Sequence, residues 1–285
     1  MRNWLGQLIF FSLLPQWAVL PVLFIGAFGG VGACVTFLGL MIASTTSAVT
    51  QDLHEQCDSA VGPDPSATMT TGPNASPRTS AERPLTAPTA NPYAELTIAP
   101  DDTDVSDWYR ACAAAMKSAP YQHPSLLVIN GGATALCARD LAQASVGSGT
   151  GAAATLSRYV IYRASAVAMT GRCEGATAGG TSASEGATIP VVAPETAGSC
   201  ALTEPVLLPK TVAGQGICGQ RVDLSAVSAG DLVFWDYRDH APTRVGVALG
   251  SGQIVSSDPT TDRITQEAMP TGSDVRVKRV LGGAS

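Results

Sequence analysis

Charge is scarce in this chain: 14% of its 285 residues are charged and the net charge is −6. Without a basic stripe it has no electrostatic footprint for nucleic acid, and none is expected as a partner. Histidine is scarcer still. His54, His123 and His240 are scattered, and no spacing among His, Cys, Asp and Glu matches a zinc or calcium site. No metal and no cofactor is therefore expected. The glycine-rich "VGSGTG" (Val146–Gly151) lies ahead of a helical pattern but lacks the lysine of a P-loop. It also follows a helix rather than a strand, which argues against a nucleotide site.

The absence of charge is complete from Trp4 to Ala43. Within that run, Ala18–Ala43 exceeds the roughly 20 apolar residues that cross a bilayer, and it is too long for the core of a cleaved signal peptide. "SAV" ending at Val49 is a weak cleavage site, and Trp4–Leu14, before Pro15, is too short to span alone. Gly26, Gly29, Gly30 and Gly32 suit close helix packing in lipid or are simply tolerated there. Arg2 precedes the run; Asp52, Glu55 and Asp58 follow it, with no Lys or Arg until Arg78. The positive-inside tendency places the N-terminus in the cytoplasm and the rest outside, as a single-pass membrane protein. Residues 1–50 are read as a membrane anchor.

Export agrees with the cysteines. Beyond Cys34 in the apolar run stand Cys57, Cys112, Cys137, Cys173, Cys200 and Cys218. Six cysteines outside the cytoplasm suggest up to three disulfides, with 15 possible pairings. Residues 51–100 are read as an extracytoplasmic linker, because they are dominated by Pro, Thr, Ser and Ala and lack the apolar residues that offset ordering entropy.

A folded α+β domain is expected over residues 101–285. Val105, Trp108, Cys112 and Met116 share a helical face, with Asp104 as cap and Pro120 as stop. Helices are predicted over residues 133–144 and 152–169, the latter burying Leu156, Val160, Ile161 and Val167. Irregular, glycine-rich sequence over residues 171–217 reads as an insertion, with Cys173 and Cys200 as one candidate staple. Strands follow at 232–235, 245–249, 253–256, 263–267 and 275–281, with Gly250–Gly252 as a hairpin turn. Helices first and antiparallel strands afterwards define the class.

Two of those strands carry a motif. "GDLVFW" (Gly230–Trp235) and "RVGVALG" (Arg244–Gly250) resemble, in type, order and spacing, the paired strands of the NlpC/P60 family of papain-like cell-wall cysteine peptidases. "SGQIVSS" resembles the family's next strand, "KSAPYQ" (Lys117–Gln122) the end of its first helix, and "AAATLSRYVIY" (Ala152–Tyr162) its central helix. The resemblance spans about residues 105–281, with insertions at about 123–150 and 171–217.

The resemblance implies a catalytic cysteine at the start of the central helix, a histidine opening the second strand and a polar third residue. Those positions hold Ala153, Arg244 and Ser256. Alanine offers no nucleophile, and a guanidinium cannot accept a proton. The resemblance therefore implies a pseudoenzyme with no catalytic residues, one that binds peptidoglycan stems or proteins of a secretion or conjugation complex. Arg244, Trp235, Tyr237 and His240 are its candidate ligand-binding residues, and a salt bridge to Asp231, Asp236 or Asp239 is the structural alternative for Arg244. Two other functions stay open: an active cell-wall endopeptidase rearranged around Cys137 or Cys218 and His240, and a structural membrane subunit.

Overall fold

The computed structural model describes residues 49–66, 91–149, 153–174 and 205–282. The chain divides into two units, Met1–Gln51 and Asp52–Ser285, and the fold described here is that of the second. The apolar run and the proposed membrane span lie outside the described residues, as does Cys200. Among the described residues no helix is long and apolar enough to cross a membrane.

Among the described residues, six helical segments precede the sheet. They are α1 (residues 49–61), α2 (Asp107–Met116), α3 (Ala133–Ala144), α4 (Ala153–Ser165), α5 (Val167–Thr170) and α6 (Val212–Gly216). Helix α2 starts two residues later than its sequence suggested. Ser106 rather than Asp104 caps it, accepting from the Tyr109 N–H, since serine's short side chain reaches the orphan amides of the first turn. The third predicted helix stops at Ser165 and restarts at Val167.

The strands are β1 (Gln220–Val222), β2 (Leu232–Arg238), β3 (Ala241–Gly250), β4 (Gln253–Asp258), β5 (Arg263–Ala268) and β6 (Arg276–Arg279). They form one antiparallel sheet in the order β1-β6-β2-β3-β4-β5. β2 and β3 run longer than expected. Asp239 and His240, both at positive φ, close them as a two-residue hairpin, the pair of left-handed residues that matches strand twist.

Alternation along the strands gives the sheet two different sides. Leu232, Phe234, Val245, Val247 and Val255 pack against Leu156, Val160 and Ile161 of α4 and Leu141 of α3; this is the helix side. Val233, Ala248, Ile254 and Val277 point the other way, to a cluster completed by Ala226 and Val275; this is the loop side.

The expected linker does not begin at residue 51. From Asp52 onward α1 belongs to the folded domain, where Cys57, Ala60 and Val61 are buried with Trp108, Cys112 and Met116. A disulfide joins Cys57 to Cys112, with Cα atoms 5.1 Å apart. His54 stacks on Trp108 at 5.0 Å, and Trp108 Nε1 donates to Gly62 O. The domain thus begins about fifty residues earlier in the chain than its composition indicated, and residues 67–90 of the linker lie outside the described residues.

Candidate functional site

β2 and β3 bring Trp235 and Arg244 side by side, as cross-strand partners. The Arg244 guanidinium lies 5.2 Å from the centre of the Trp235 ring, a cation–π contact. One terminal nitrogen donates to Ser257 O at 3.2 Å, while Nε is buried without a partner. Arg244 forms no ion pair among the described residues. Asp231 is gripped instead by Arg279, through two bonds of 2.8 Å. Burial raises the Asp231 carboxyl, outweighing the opposing pull of Arg279 and of the Ser228 N–H. Asp236 is held by Thr243 and Arg238.

Ser256 sits on β4 opposite Gly246, fully buried, and its hydroxyl donates to the Glu267 carboxylate. Gly246 has no room for a side chain: a Cβ there would meet the Ile254 Cδ1 at 2.9 Å. Arg244, Gly246 and Ser256 all occupy the loop side, with Trp235 and Ile254.

Ala153 is elsewhere. It opens α4 and packs partly buried against the helix-side core. The first turn of α4 is filled rather than open. Ser157 Oγ bonds the fully buried Gln215 side chain at 2.6 Å, and Gln215 Nε2 donates to Ala154 O and Pro209 O. Residues 153 and 244 therefore do not face each other across a groove. They lie on opposite sides of the sheet, because even-numbered residues of β3 from 244 onward point away from α4.

The other two ligand candidates are also separated. Asp236 takes a positive φ of 55° inside β2, and its N–H bonds the Asp274 carboxylate. That turn of the backbone sends Trp235 to the loop side and Tyr237 to the helix side. Tyr237 is partly buried against Gly62, and desolvation pushes its hydroxyl well above the usual tyrosine range. His240 is at the hairpin tip. Trp235 and Arg244 are thus brought together, and Tyr237 and His240 are not part of that pair.

Nor do the cysteines supply a nucleophile. Cys137 pairs with Cys173, Cα atoms 5.5 Å apart, and Cys218 is disulfide-bonded. The candidate Cys173–Cys200 staple is corrected accordingly: Cys173 is anchored to α3, where Cys137 is buried and in reach. All described cysteines are in disulfides, so no thiolate is available to His240.

The densest polar constellation was not visible in the sequence. Arg276 and Lys278 lie opposite Phe234 and Leu232, hence on the helix side, with Arg221 beside them on β1. Asp58 of α1 bonds Arg221 at 2.7 Å and also pairs with Arg276. Lys278, 1% exposed, reaches Ser59 Oγ at 2.5 Å and Gln122 Oε1 at 3.4 Å. Gln122 and Gln56 bond each other twice. Burial favours the protonated form of Asp58, but the two guanidiniums together outweigh it and hold the carboxyl below its ordinary range. Burial, reinforced by Arg221, lowers the Lys278 ammonium to about 7.

No known family profile and no curated protein matches the chain. Among solved structures it is similar to the peptidoglycan hydrolase RipB from Mycobacterium tuberculosis, at 22% identity over 27% of this chain and 39% of that one, TM-score 0.25. An NlpC/P60 family protein from Bacillus cereus ATCC 10987 is 19% identical over 27% of this chain and 28% of that one, TM-score 0.25. The NlpC/P60 domain of the peptidoglycan hydrolase SagA is 15% identical over 51% of this chain and 97% of that one, TM-score 0.31. The chain spans well under half the length of the first two. These are partial likenesses, and the chemistry is argued from this chain's own residues.

Proposed function

We propose that the chain is a membrane-anchored, extracytoplasmic NlpC/P60-like pseudoenzyme that binds peptidoglycan stems, or a protein of an envelope complex, without cutting peptide bonds. One observation carries the reading: in the strand motif that resembles the family, the place of the general base is taken by Arg244, stacked on Trp235 and pointing away from α4. A permanently charged guanidinium cannot take a proton, but it recognises a carboxylate with two parallel hydrogen bonds. The disulfides at Cys137 and Cys218 speak against the rearranged peptidase.

Binding is tested by co-sedimentation of the protein with purified peptidoglycan sacculi. Retention that falls at least several-fold in Arg244→Glu, with unchanged melting temperature, supports the proposal. Equal retention of the two proteins removes Arg244 from any ligand site. Absence of retention by either removes peptidoglycan as the ligand.

A further inference from the structure

Arg244 has an acidic counterpart on its own side of the sheet. Glu267 of β5 is the cross-strand partner of Ile254 and is exposed, and its carboxylate accepts from Ser256 Oγ of β4. Arg244 comes from β3, on the other flank of β4, and donates to Ser257 O of that same strand. Guanidinium and carboxylate thus reach in from opposite flanks toward consecutive residues of β4, whose Cα atoms are about 3.8 Å apart. With Trp235 and Ile254, both belong to the loop side.

Opposite charges so placed ordinarily close on each other, yet among the described residues neither forms an ion pair. Each is restrained by a different partner. The Trp235 ring, its centre 5.2 Å from the guanidinium, draws Arg244 back toward β2. The fully buried Ser256 holds Glu267 over β4 through a neutral hydroxyl, which leaves the carboxylate charge uncancelled. Two other carboxylates of these strands are engaged elsewhere: Asp236 by Thr243 and Arg238, and Asp258 by the Thr260 N–H. Arg244 Nε is meanwhile buried without a partner, a desolvated donor that nothing in the chain offsets. The loop side therefore presents a cation and an anion held near each other and apart.

We propose that this face binds a free α-amino-acid end, with its carboxylate on Arg244 and its ammonium on Glu267. The proposal rests on the carboxylate-binding reading of Arg244 above and names the second charge that completes the ligand. An ammonium and a carboxylate borne on one carbon match the two restrained charges, and each contact is a charge-assisted hydrogen bond. A ligand that brings a carboxylate alone sets a second anion beside Glu267, a like-charge juxtaposition that disfavours it. Preference for the zwitterion thus comes from attraction at both ends and from repulsion of its singly charged relatives.

The test is fluorescence anisotropy with the full chain in detergent and three probes. Each probe is a lysine carrying a neutral coumarin dye on its side-chain nitrogen: the free α-amino acid, its Nα-acetyl derivative and its α-carboxamide. The free amino acid should bind several-fold more tightly than either derivative. Glu267→Gln should remove the penalty for acetylation and keep that for the carboxamide, and Arg244→Gln should do the converse, with melting temperatures read on the same samples. The series on the wild-type chain decides the question should a variant fail to fold. Equal binding of the free and acetylated probes, with the carboxamide weaker, overturns the ammonium site at Glu267 and leaves the carboxylate reading standing. Equal binding of all three, or binding undiminished in Arg244→Gln, overturns both. Binding of no probe, while Arg244-dependent retention on sacculi persists, overturns this proposal alone; loss of that retention as well overturns both.

Discussion

Lys278 places an amine in the interior with no carboxylate of its own. Its nearest acceptors are Ser59 and Gln122, and Asp58 is already committed to two arginines. Its folded pKa of about 7 lies below the ordinary 10.5. Between those values the unfolded chain binds the proton and the folded one does not, so stability rises with pH across the window and is lowest below it. We expect wild-type stability to climb from pH 7 to 9.5, with a slope approaching about 1.4 kcal/mol per pH unit. Lys278→Met should flatten that slope and raise the melting temperature at pH 7. Parallel urea titrations across this range check it, and identical slopes would place the ammonium in water. Arg244 makes a different prediction. Grafting the missing pair, as Ala153→Cys with Arg244→His, should yield no peptidase activity, because residue 244 faces away from α4. A fluorogenic stem-peptide assay reads this directly, and turnover above background would mean that the two positions do meet.

Helix α1 shows where composition misleads. Asp52, Glu55, Asp58 and Ser59 looked like the start of a solvated linker, yet Gln56 and Ser59 are buried at 1% exposure. Leu53, Cys57, Ala60 and Val61 do recur at helical spacing, a signal that was present but diluted by the polar residues satisfied across the interface. Elements held by simple apolar periodicity were legible: α3 appears over the expected residues, and five of the six strands were placed, β1 being too short and polar to read. The hairpin turn at Asp239–His240 was hidden because only the backbone reveals its paired positive φ values. The site was half legible. Identity alone told that residues 153 and 244 are an alanine and an arginine, whereas the side of the sheet that each one faces required the fold.

The clamp on α1 is testable. Asp58→Asn leaves the buried Arg276 and the partly exposed Arg221 with a neutral partner and should cost roughly 3 kcal/mol, toward the low end for a broken buried pair because Arg221 is 31% exposed. Since the folded Asp58 pKa lies below 3.8, its contribution is complete above that value and is lost as pH falls through the folded one. Wild type should therefore lose its advantage over Asp58→Asn in strong acid. Chemical denaturation at pH 7 and pH 2.5 measures both, and an equal gap at the two values would exclude an ionised clamp. The Cys57–Cys112 and Cys137–Cys173 bridges span 55 and 36 residues, worth about 4 kcal/mol each in the chain-entropy picture. Alkylation without reductant followed by peptide mass mapping should find no free thiol at Cys57, Cys112, Cys137, Cys173 or Cys218. Quantitative alkylation of any of them would remove that bridge and reopen the thiol chemistry.

At the scale of the whole molecule, a sheet with helices on one side places Ala153 and Arg244 on opposite sides. The helix side is filled by α3, α4 and the buried basic cluster; the loop side carries Arg244, Trp235 and Ser256. On the proposed reading, what joins the strand motif to function is recognition rather than turnover. The most direct measurement is digestion of purified peptidoglycan by the intact, disulfide-bonded protein, with soluble products followed by mass spectrometry. The proposed pseudoenzyme sediments with the wall and releases no stem-peptide fragments above the buffer control, with or without a thiol alkylating agent. Reproducible release of such fragments, abolished by alkylation or by His240→Ala, would contradict it.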